Sequence, residues 1–348
     1  METALMVAGV LLVVATALPL SKSDRWWIRG FDFPRVQIAV AICAVVIGLV
    51  MIGARDALGY GLLAALVAAG LYQAWMMWPY LPWARQQVQR SRGADPASSL
   101  RLLTANVLMT NRDAPRLLRI VREADPDVIL MVETDDWWRA HLADLECSHP
   151  HTVLRPQGNT YGMLLYSRLE LIDPRVEFLV QDDIPSIHAR VRLRSGASVT
   201  LHCLHPRPPF PTEDDTSTER DAELLQVGKR VKQHDGPVVV MGDLNDVAWS
   251  RTNYLFQDIS GLLDPRIGRG FFNTFHAQVP VLRFPLDHFF HSSHFRLIDF
   301  KRLPPFGSDH FPVFIAISHE PEAQAEQPEL QADASQQREA DEKIREAR

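Results

Sequence analysis

The sequence predicts an α+β sandwich carried behind three membrane-spanning helices. Three observations predict it. The first eighty residues contain three long apolar runs, the chain from about residue 100 reads as many short strands with few helices, and polar side chains gather where those strands end. At 348 residues, 47% hydrophobic and 22% charged, the chain is long enough for one sizeable domain and a further segment. Those values exclude disorder throughout. Cys43, Cys147 and Cys203 are too few and too scattered for a disulfide framework or a thiolate zinc site.

The apolar runs, Ala4–Leu20, Val36–Gly53 and Ala57–Tyr80, have no interior Asp, Glu, Lys or Arg and are apolar all round, unlike the one-sided pattern of a soluble helix. Residues 1–83 are therefore expected to be a membrane anchor with spans near 4–20, 36–53 and 57–80. A cleaved signal peptide is the competing reading of the first run, but its amino end, METAL, lacks the positive charge such a peptide needs. Lys22, Arg25, Arg29 and Arg35 follow the first run and Arg85, Arg90 and Arg92 follow the third, whereas the turn between the second and third has only Arg55. The positive-inside bias then puts residue 81 onward in the cytoplasm, behind a multi-pass anchor in the cell (inner) membrane.

Residues 84–99 lose hydrophobicity and gain Ser, Gly and Pro, as a linker does. Strands are expected at Leu100–Val107, Asp127–Val132, Gly162–Tyr166, Val176–Val180, His188–Leu193, Ser198–His205, Pro237–Met241, Leu286–Phe290, Phe295–Phe300 and Val313–Ile317. Helices are expected at Pro115–Glu123, Glu219–Lys232 and around Asn253–Ser260. Residues 319–348, rich in Glu, Gln and Ala, are expected to form a disordered acidic tail.

Polar residues stand at or just past strand ends in six places: Asn106, Glu133, His205, Asp243 with Asn245, Asp287, and Ser308-Asp309-His310. A buried strand that stops in a carboxylate or carboxamide delivers that group to the rim of its sheet. Carboxylates and amides with histidines, and no thiolates, make an oxygen-rich site suited to Mg²⁺ or Mn²⁺. Each position alone has a plainer account. Asn106 is a natural turn former, Asp243–Asp246 a helix cap, and Glu133 with Asp135 and Asp136 a loop capping a helix near Trp137. Their order along the chain is what carries weight.

In that order the sequence resembles the endonuclease/exonuclease/phosphatase superfamily, the deoxyribonuclease I-like metal-dependent phosphodiesterases. The resemblance spans roughly Leu100 to Ser318. It rests on Asn106 ending the first strand, Glu133 after PDVILMVE, the YGMLLYSR strand, His205, GDLN at Gly242–Asn245, LDHFF at Leu286–Phe290 and GSDHFPV at Gly307–Val313. It implies a four-layer α/β/β/α sandwich over residues 100–318. It also implies that Asn106, Glu133 and Asp309 serve a divalent metal, and that Asp243 and Asn245 orient water and bind the scissile phosphate. By the same resemblance Asp287 fixes His310, and His205 donates to phosphate oxygen. Whether Asp243 or His310 is the general base stays open.

Substrate class is less legible. Residues 1–99 hold 8 Lys or Arg against 5 Asp or Glu, residues 100–318 hold 24 against 28, and residues 319–348 hold 4 against 9. The domain is thus not a basic body built for a polyanion. Pro206-Arg207-Pro208-Pro209 follows His205 as a rigid turn, and Glu213-Asp214-Asp215 repels nucleic acid if it faces the cleft. Arg207, Arg251, Arg266 and Arg269 are the arginines nearest the motifs. The first expectation is a nuclease-type phosphodiesterase tethered to the membrane. The alternative is a phospholipid or inositol-phosphate phosphodiesterase or phosphatase, and a catalytically inactive membrane scaffold is a third reading. The partners expected are a nucleic acid or phospholipid headgroup as substrate and the bilayer, with no stable protein partner.

Overall fold

In the computed structural model the structure is described for residues 1–53, 56–93, 95–327 and 329–347; the Arg55 turn lies outside them. The chain opens with α1 (Glu2–Ala17), the short α2 (Trp26–Arg29), α3 (Arg35–Ile52) and α4 (Ala57–Met77). Three helical segments, Glu2–Ser21, Arg35–Ile52 and Ala57–Tyr80, are long and apolar enough to cross a membrane. They pack through Leu49, Ile42 and Leu66, while Val10, Leu11, Val40, Val50 and Leu71 point outward. An apolar exterior of this kind suits lipid, which offers backbone no hydrogen bonds and so demands helix.

The remainder runs β1 (Ser99–Asn106), α5 (Ala114–Ala124), β2 (Val128–Val132), α6 (Asp136–His141), β3 (His151–Arg155), β4 (Met163–Ser167), β5 (Leu171–Glu177), β6 (Ser186–Arg192) and β7 (Ser198–Leu204). It continues through α7 (Thr218–Lys232), β8 (Val238–Asp243), α8 (Arg251–Ser260), β9 (Asp287–His291), β10 (Phe295–Arg302), β11 (Val313–His319) and α9 (Ala334–Glu346). One sheet has the order β10-β11-β1-β2-β4-β3 and the other β5-β6-β7-β8-β9. Both are mixed around one parallel pair, β1 with β2 and β7 with β8.

Period-two alternation explains why the central strands read as unbroken apolar runs. In β2, Val128, Leu130 and Val132 enter the core between the sheets, while Ile129 and Met131 meet Leu117 and Ile120 of α5. In β8, Val239 and Met241 enter the same core, while Val238 and Val240 meet Leu224 and Val227 of α7. The result is a helix, sheet, sheet, helix sandwich. Asp113 caps α5 by accepting from the Arg116 amide, and Ser250 caps α8 by accepting from the Asn253 amide.

Three expectations need correction, and one strand was missed. The strand placed at Val176–Val180 lies earlier, as β5; Pro174 and a register shift between Ile172 and Arg175 hide its alternation. Edge strand β3 gave no apolar pattern to find. Residues 84–99 are not a free linker, because Val88 is fully buried and Gln89 and Ser91 hydrogen-bond Leu297 along β10. The acidic tail is largely ordered. A capping box at Asp333 starts α9, which buries Ala340 and Ile344 against Leu225, Leu255 and Ile259 of α7 and α8.

The N-terminal helices are likewise joined to the sandwich. Trp249 Nε1 donates to the Asp32 carbonyl (2.7 Å), Tyr80 Oη donates to the Ala248 carbonyl (2.7 Å), and Arg29 Nη2 donates to Thr252 Oγ1 (3.0 Å). An apolar cluster of Tyr80, Trp249, Phe284 and Leu286 fills the joint.

Candidate active site

Parallel pairing aligns the carboxyl ends of β1 with β2 and of β7 with β8, and side chains there gather at one rim. Asn106 lies opposite Val132, so Glu133 is one step beyond it. Leu204 lies opposite Gly242, and Asp243 lies directly opposite Asp287. Gly242, at φ +144°, has no alternative: a Cβ there would stand 1.9 Å from the Leu204 carbonyl oxygen. Glu133 (φ +59°) and Asn245 (φ +51°) both hold left-handed backbone without being glycine, a cost found where a side chain must be aimed.

Asn106 Nδ2 donates to Glu133 Oε1 (2.7 Å) and to Asp243 Oδ2 (3.0 Å), which bridges the two sheets. The His310 Nδ1–H donates to Asp287 Oδ2 (2.8 Å), and His310 Nε2 stands 3.5 Å from Asp243 Oδ2. The Asn245 amide donates to Asp243 Oδ1, and its side-chain Nδ2 donates to the Pro206 carbonyl (both 3.0 Å). His205 is buried beside them, its ring 5.4 Å from that of Tyr161 and its Nδ1 without a hydrogen-bond partner among the described residues. Ser308 Oγ donates to the Asn106 carbonyl and accepts from the His310 amide, tying the last loop to the first strand. Asp309 is half-buried, its carbonyl accepting from the Ala277 amide, and its charge is felt by both Glu133 and His310.

Burial and charge pull the titrating groups apart. Burial pushes the Glu133 carboxyl up to about 7. His205 is pulled down to about 4 by burial, partly opposed by Asp243. At His310 burial favours the neutral ring, but Asp243 and Asp287 outweigh it and push the imidazole up to about 10. Asp243, Asp287 and His310 offer atoms within 4.8 Å of one another, close enough to hold a cation. His310, however, already donates its Nδ1–H to Asp287 and has its Nε2 facing Asp243, which leaves its ring less free for a cation than an unpaired imidazole. Asn106 and Glu133 fit a hard cation better: the atoms they can offer a metal are oxygens, and the half-buried Glu133 carboxylate has no cationic side chain in hydrogen-bond contact among the described residues.

The structure thus gathers Asn106, Glu133, His205, Asp243, Asn245, Asp287, Asp309 and His310 at one rim. Of the four arginines nearest the motifs in sequence, Arg207 lies beside Tyr161; outside those four, Arg220 of α7 donates Nη1 to the Asn245 carbonyl (2.8 Å). The Arg207 guanidinium lies 5.2 Å above the Tyr161 ring and pairs with Asp183. Arg251 pairs with Glu339, Arg266 is buried on Asp264, and Arg269 bonds the Val88 carbonyl.

Sequence reasoning assigned no role to three supporting residues, of which Tyr161 stands in the YGMLLYSR strand. Tyr161 donates its hydroxyl to Glu213, Thr274 Oγ1 accepts from the Leu286 and Asp287 amides, and Phe275 packs 5.1 Å from the His310 ring. Tyr161 was detectable beside Gly162, where a Cβ would stand 1.8 Å from the Thr134 carbonyl oxygen, so that only glycine lets the Glu133 loop close. Thr274 and Phe275 sit in an irregular loop with no signal.

No curated protein matches the chain in sequence. Solved structures similar to it include an endonuclease/exonuclease/phosphatase from Beutenbergia cavernae (19% identity, TM-score 0.51, 64% of this chain and 72% of that one). Another is D. rerio TDP2 complexed with single strand DNA product (19% identity, TM-score 0.54, 64% of this chain and 99% of that one). A third is a family protein from Bacteroides thetaiotaomicron (17% identity, TM-score 0.51, 64% and 98%). At these identities the likeness is one of fold. The Endonuclease/Exonuclease/phosphatase family matches residues 103–310, from within β1 to the rim histidine. That is more than half of the chain, and the protein is a member of the endonuclease/exonuclease/phosphatase family.

Proposed function

We propose that the protein is a membrane-tethered, metal-dependent phosphodiesterase of nuclease type, with its sandwich on the cytoplasmic side of the cell membrane. The observation that carries this reading is the rim itself: the fully buried Asp243 and Asp287 and the half-buried Glu133 converge around His310, whose ring is bonded to Asp287 (2.8 Å) and stands 3.5 Å from Asp243. Glu133 and Asn106, with Asp309 close by, would hold Mg²⁺ or Mn²⁺, which supplies charge neutralisation at a phosphate oxygen when bound. Asp243, fixed by the Asn106 and Asn245 donors, orients an attacking water. Asp287 holds the His310 ring in place and keeps its proton on Nδ1. His205, neutral in the free protein, gains basicity once a phosphate anion lies beside it and donates to that group.

A second reading, a phospholipid or inositol-phosphate phosphodiesterase or phosphatase, is favoured by one loop. Residues 275–284 buttress His310 through Phe275 and carry exposed Val281 and Leu282, and the Val281 carbonyl accepts from Gln37 Nε2 at the start of α3 (2.6 Å). The catalytic rim and the membrane surface therefore share an apolar lip. Asp183, Glu213 and Asp214 crowd Arg207 beside Tyr161 and make the nearby rim acidic, which suits a headgroup better than a long polyanion.

The test is Mg²⁺-dependent hydrolysis by the full-length chain in detergent, on supercoiled plasmid, single-stranded DNA, RNA and mixed phospholipid vesicles. Cleavage of nucleic acid supports the first reading and cleavage of lipid alone the second. Inactivity on all four substrates overturns both.

A further inference from the structure

We propose that a cleft between the anchor and the sandwich, separate from the catalytic rim, binds the phosphate of a lipid headgroup. The cavity measures about 280 Å³ and lies where the carboxyl ends of α1 and α4 and the amino end of α3 meet α8 and α9. Arg29, Arg35 and Arg251 line it, against two carboxylates, Asp32 and Glu339. Asp32 is shared between Arg29 (3.3 Å) and Arg35 (2.5 Å), Glu339 is engaged by Arg251, and Asp221, Asp246 and Asp24 lie near Arg29, so the joint as a whole is balanced and what the cleft offers an anion is three guanidinium groups rather than a surplus charge.

Arg29 and Arg35 are only 3% and 2% exposed, yet the Nε–H of each has no hydrogen-bond partner among the described residues. A buried guanidinium N–H without an acceptor is costly, and an anion in the cleft would satisfy it. The same lining carries Leu20, Tyr72 and Met76 from the ends of the candidate spans, with the Arg35 guanidinium 5.5 Å from the Tyr72 ring. Exposed Trp27, Trp75 and Trp78 stand at the same helix ends, the depth at which interfacial aromatics meet headgroups. Guanidinium groups beside apolar side chains at that depth fit a phosphate carrying acyl chains; a free phosphate ion would use the former but not the latter.

The arginines are embedded in the joint. Arg35 Nη1 donates to Gln73 Oε1 (3.0 Å), Gln73 Nε2 to Thr16 Oγ1 (3.1 Å), and Arg29 Nη2 to Thr252 Oγ1. An occupied cleft would therefore lock three anchor helices to α8. This inference rests on reading α1, α3 and α4 as spans.

The test is thermal unfolding of the full-length, delipidated protein in detergent and EDTA, which stops any metal-dependent hydrolysis, with dioctanoyl phosphatidylglycerol, dioctanoylglycerol or inorganic phosphate added. Saturating phosphatidylglycerol should raise the midpoint by about 5 °C or more. Arg251→Gln, and the cavity-filling Leu20→Trp at an exposed position, should each weaken the apparent affinity by about tenfold or more. Inorganic phosphate giving the full shift would keep the phosphate site and assign it a soluble ligand. No shift with any additive, an equal shift with dioctanoylglycerol, or wild-type affinity in both variants would overturn the proposal. Release of the chain from membranes by alkaline carbonate would sink the span reading itself, independently of the titration.

Discussion

The catalytic rim and the anchor–sandwich joint are both built from buried charges, and they are balanced in opposite ways. At the joint, Arg220 contacts Asp221 (2.9 Å) and Asp246 (3.2 Å), and Lys343 of α9 bridges Asp221 (3.0 Å) and Asp24 (2.7 Å). Burial would raise Asp221, but Arg220, Lys343 and Arg29 outweigh it and hold the carboxyl well below the usual range. At the rim, burial prevails and pushes Glu133 up to about 7. The joint's carboxylates are neutralised within the fold, whereas the rim keeps an excess of negative charge that a metal ion would balance. The first arrangement is suited to holding parts together and the second to catalysis.

Breaking the rim should have the largest effect. Asp243→Asn or His310→Ala should lower turnover by about a hundredfold or more, measured as steady-state phosphodiester hydrolysis, while leaving the fold intact by circular dichroism. Near-normal turnover in either would show that the catalytic groups lie elsewhere.

Breaking the joint should cost stability. Deleting residues 329–348 removes Ala340, Ile344 and Lys343 and leaves Asp221 with one cation fewer, so denaturant unfolding should report a loss of roughly 3–5 kcal/mol. An unchanged midpoint would mean that α9 contributes nothing to the sandwich.

A third buried carboxyl sharpens the contrast because neither a cation nor a proposed metal answers it. Glu223 of α7 is pushed up to about 8 by burial alone, and its Oε1 has no hydrogen-bond partner among the described residues. The folded protein thus keeps a proton that the unfolded chain releases above the ordinary glutamate range. That contribution is complete below about pH 4.5 and is lost as pH rises to about 8, a change on the order of 3–5 kcal/mol. Glu223→Gln should flatten this slope in denaturant titrations run at several pH values; an unaltered slope would place the effect on another group.

The smallest effect is expected at Tyr161. Its hydroxyl only anchors Glu213, so Tyr161→Phe should lower turnover by less than about tenfold and stability by about 1 kcal/mol. A loss as large as that of His310→Ala would make Tyr161 part of the reacting set.

Much of this was legible before any coordinates. Strands that are apolar on both faces, such as VILMV and VVVM, announce a two-sided buried sheet, and the groups that end them mark its rim. What stayed hidden depends on contacts between distant segments. Few large apolar side chains mark α9, whose place is set by Ala340, Ile344 and the Lys343–Asp221 pair. Residues 84–99 read as a spacer because their pairing partner, Leu297, lies two hundred residues away. The joint escaped notice because Trp249 reads as an ordinary residue following the GDLN motif until Asp32 is seen beneath it.

The central claim is that the rim needs a divalent cation to cleave a phosphodiester. The most direct measurement is hydrolysis of bis(p-nitrophenyl) phosphate by the full-length protein in detergent, first in EDTA and then on back-titration with Mg²⁺ or Mn²⁺, alongside Glu133→Gln. The account predicts activity abolished by EDTA, restored by the added ion in the wild type, and not restored in the variant. Hydrolysis that survives EDTA, or a Glu133→Gln protein that responds to metal like the wild type, would contradict it.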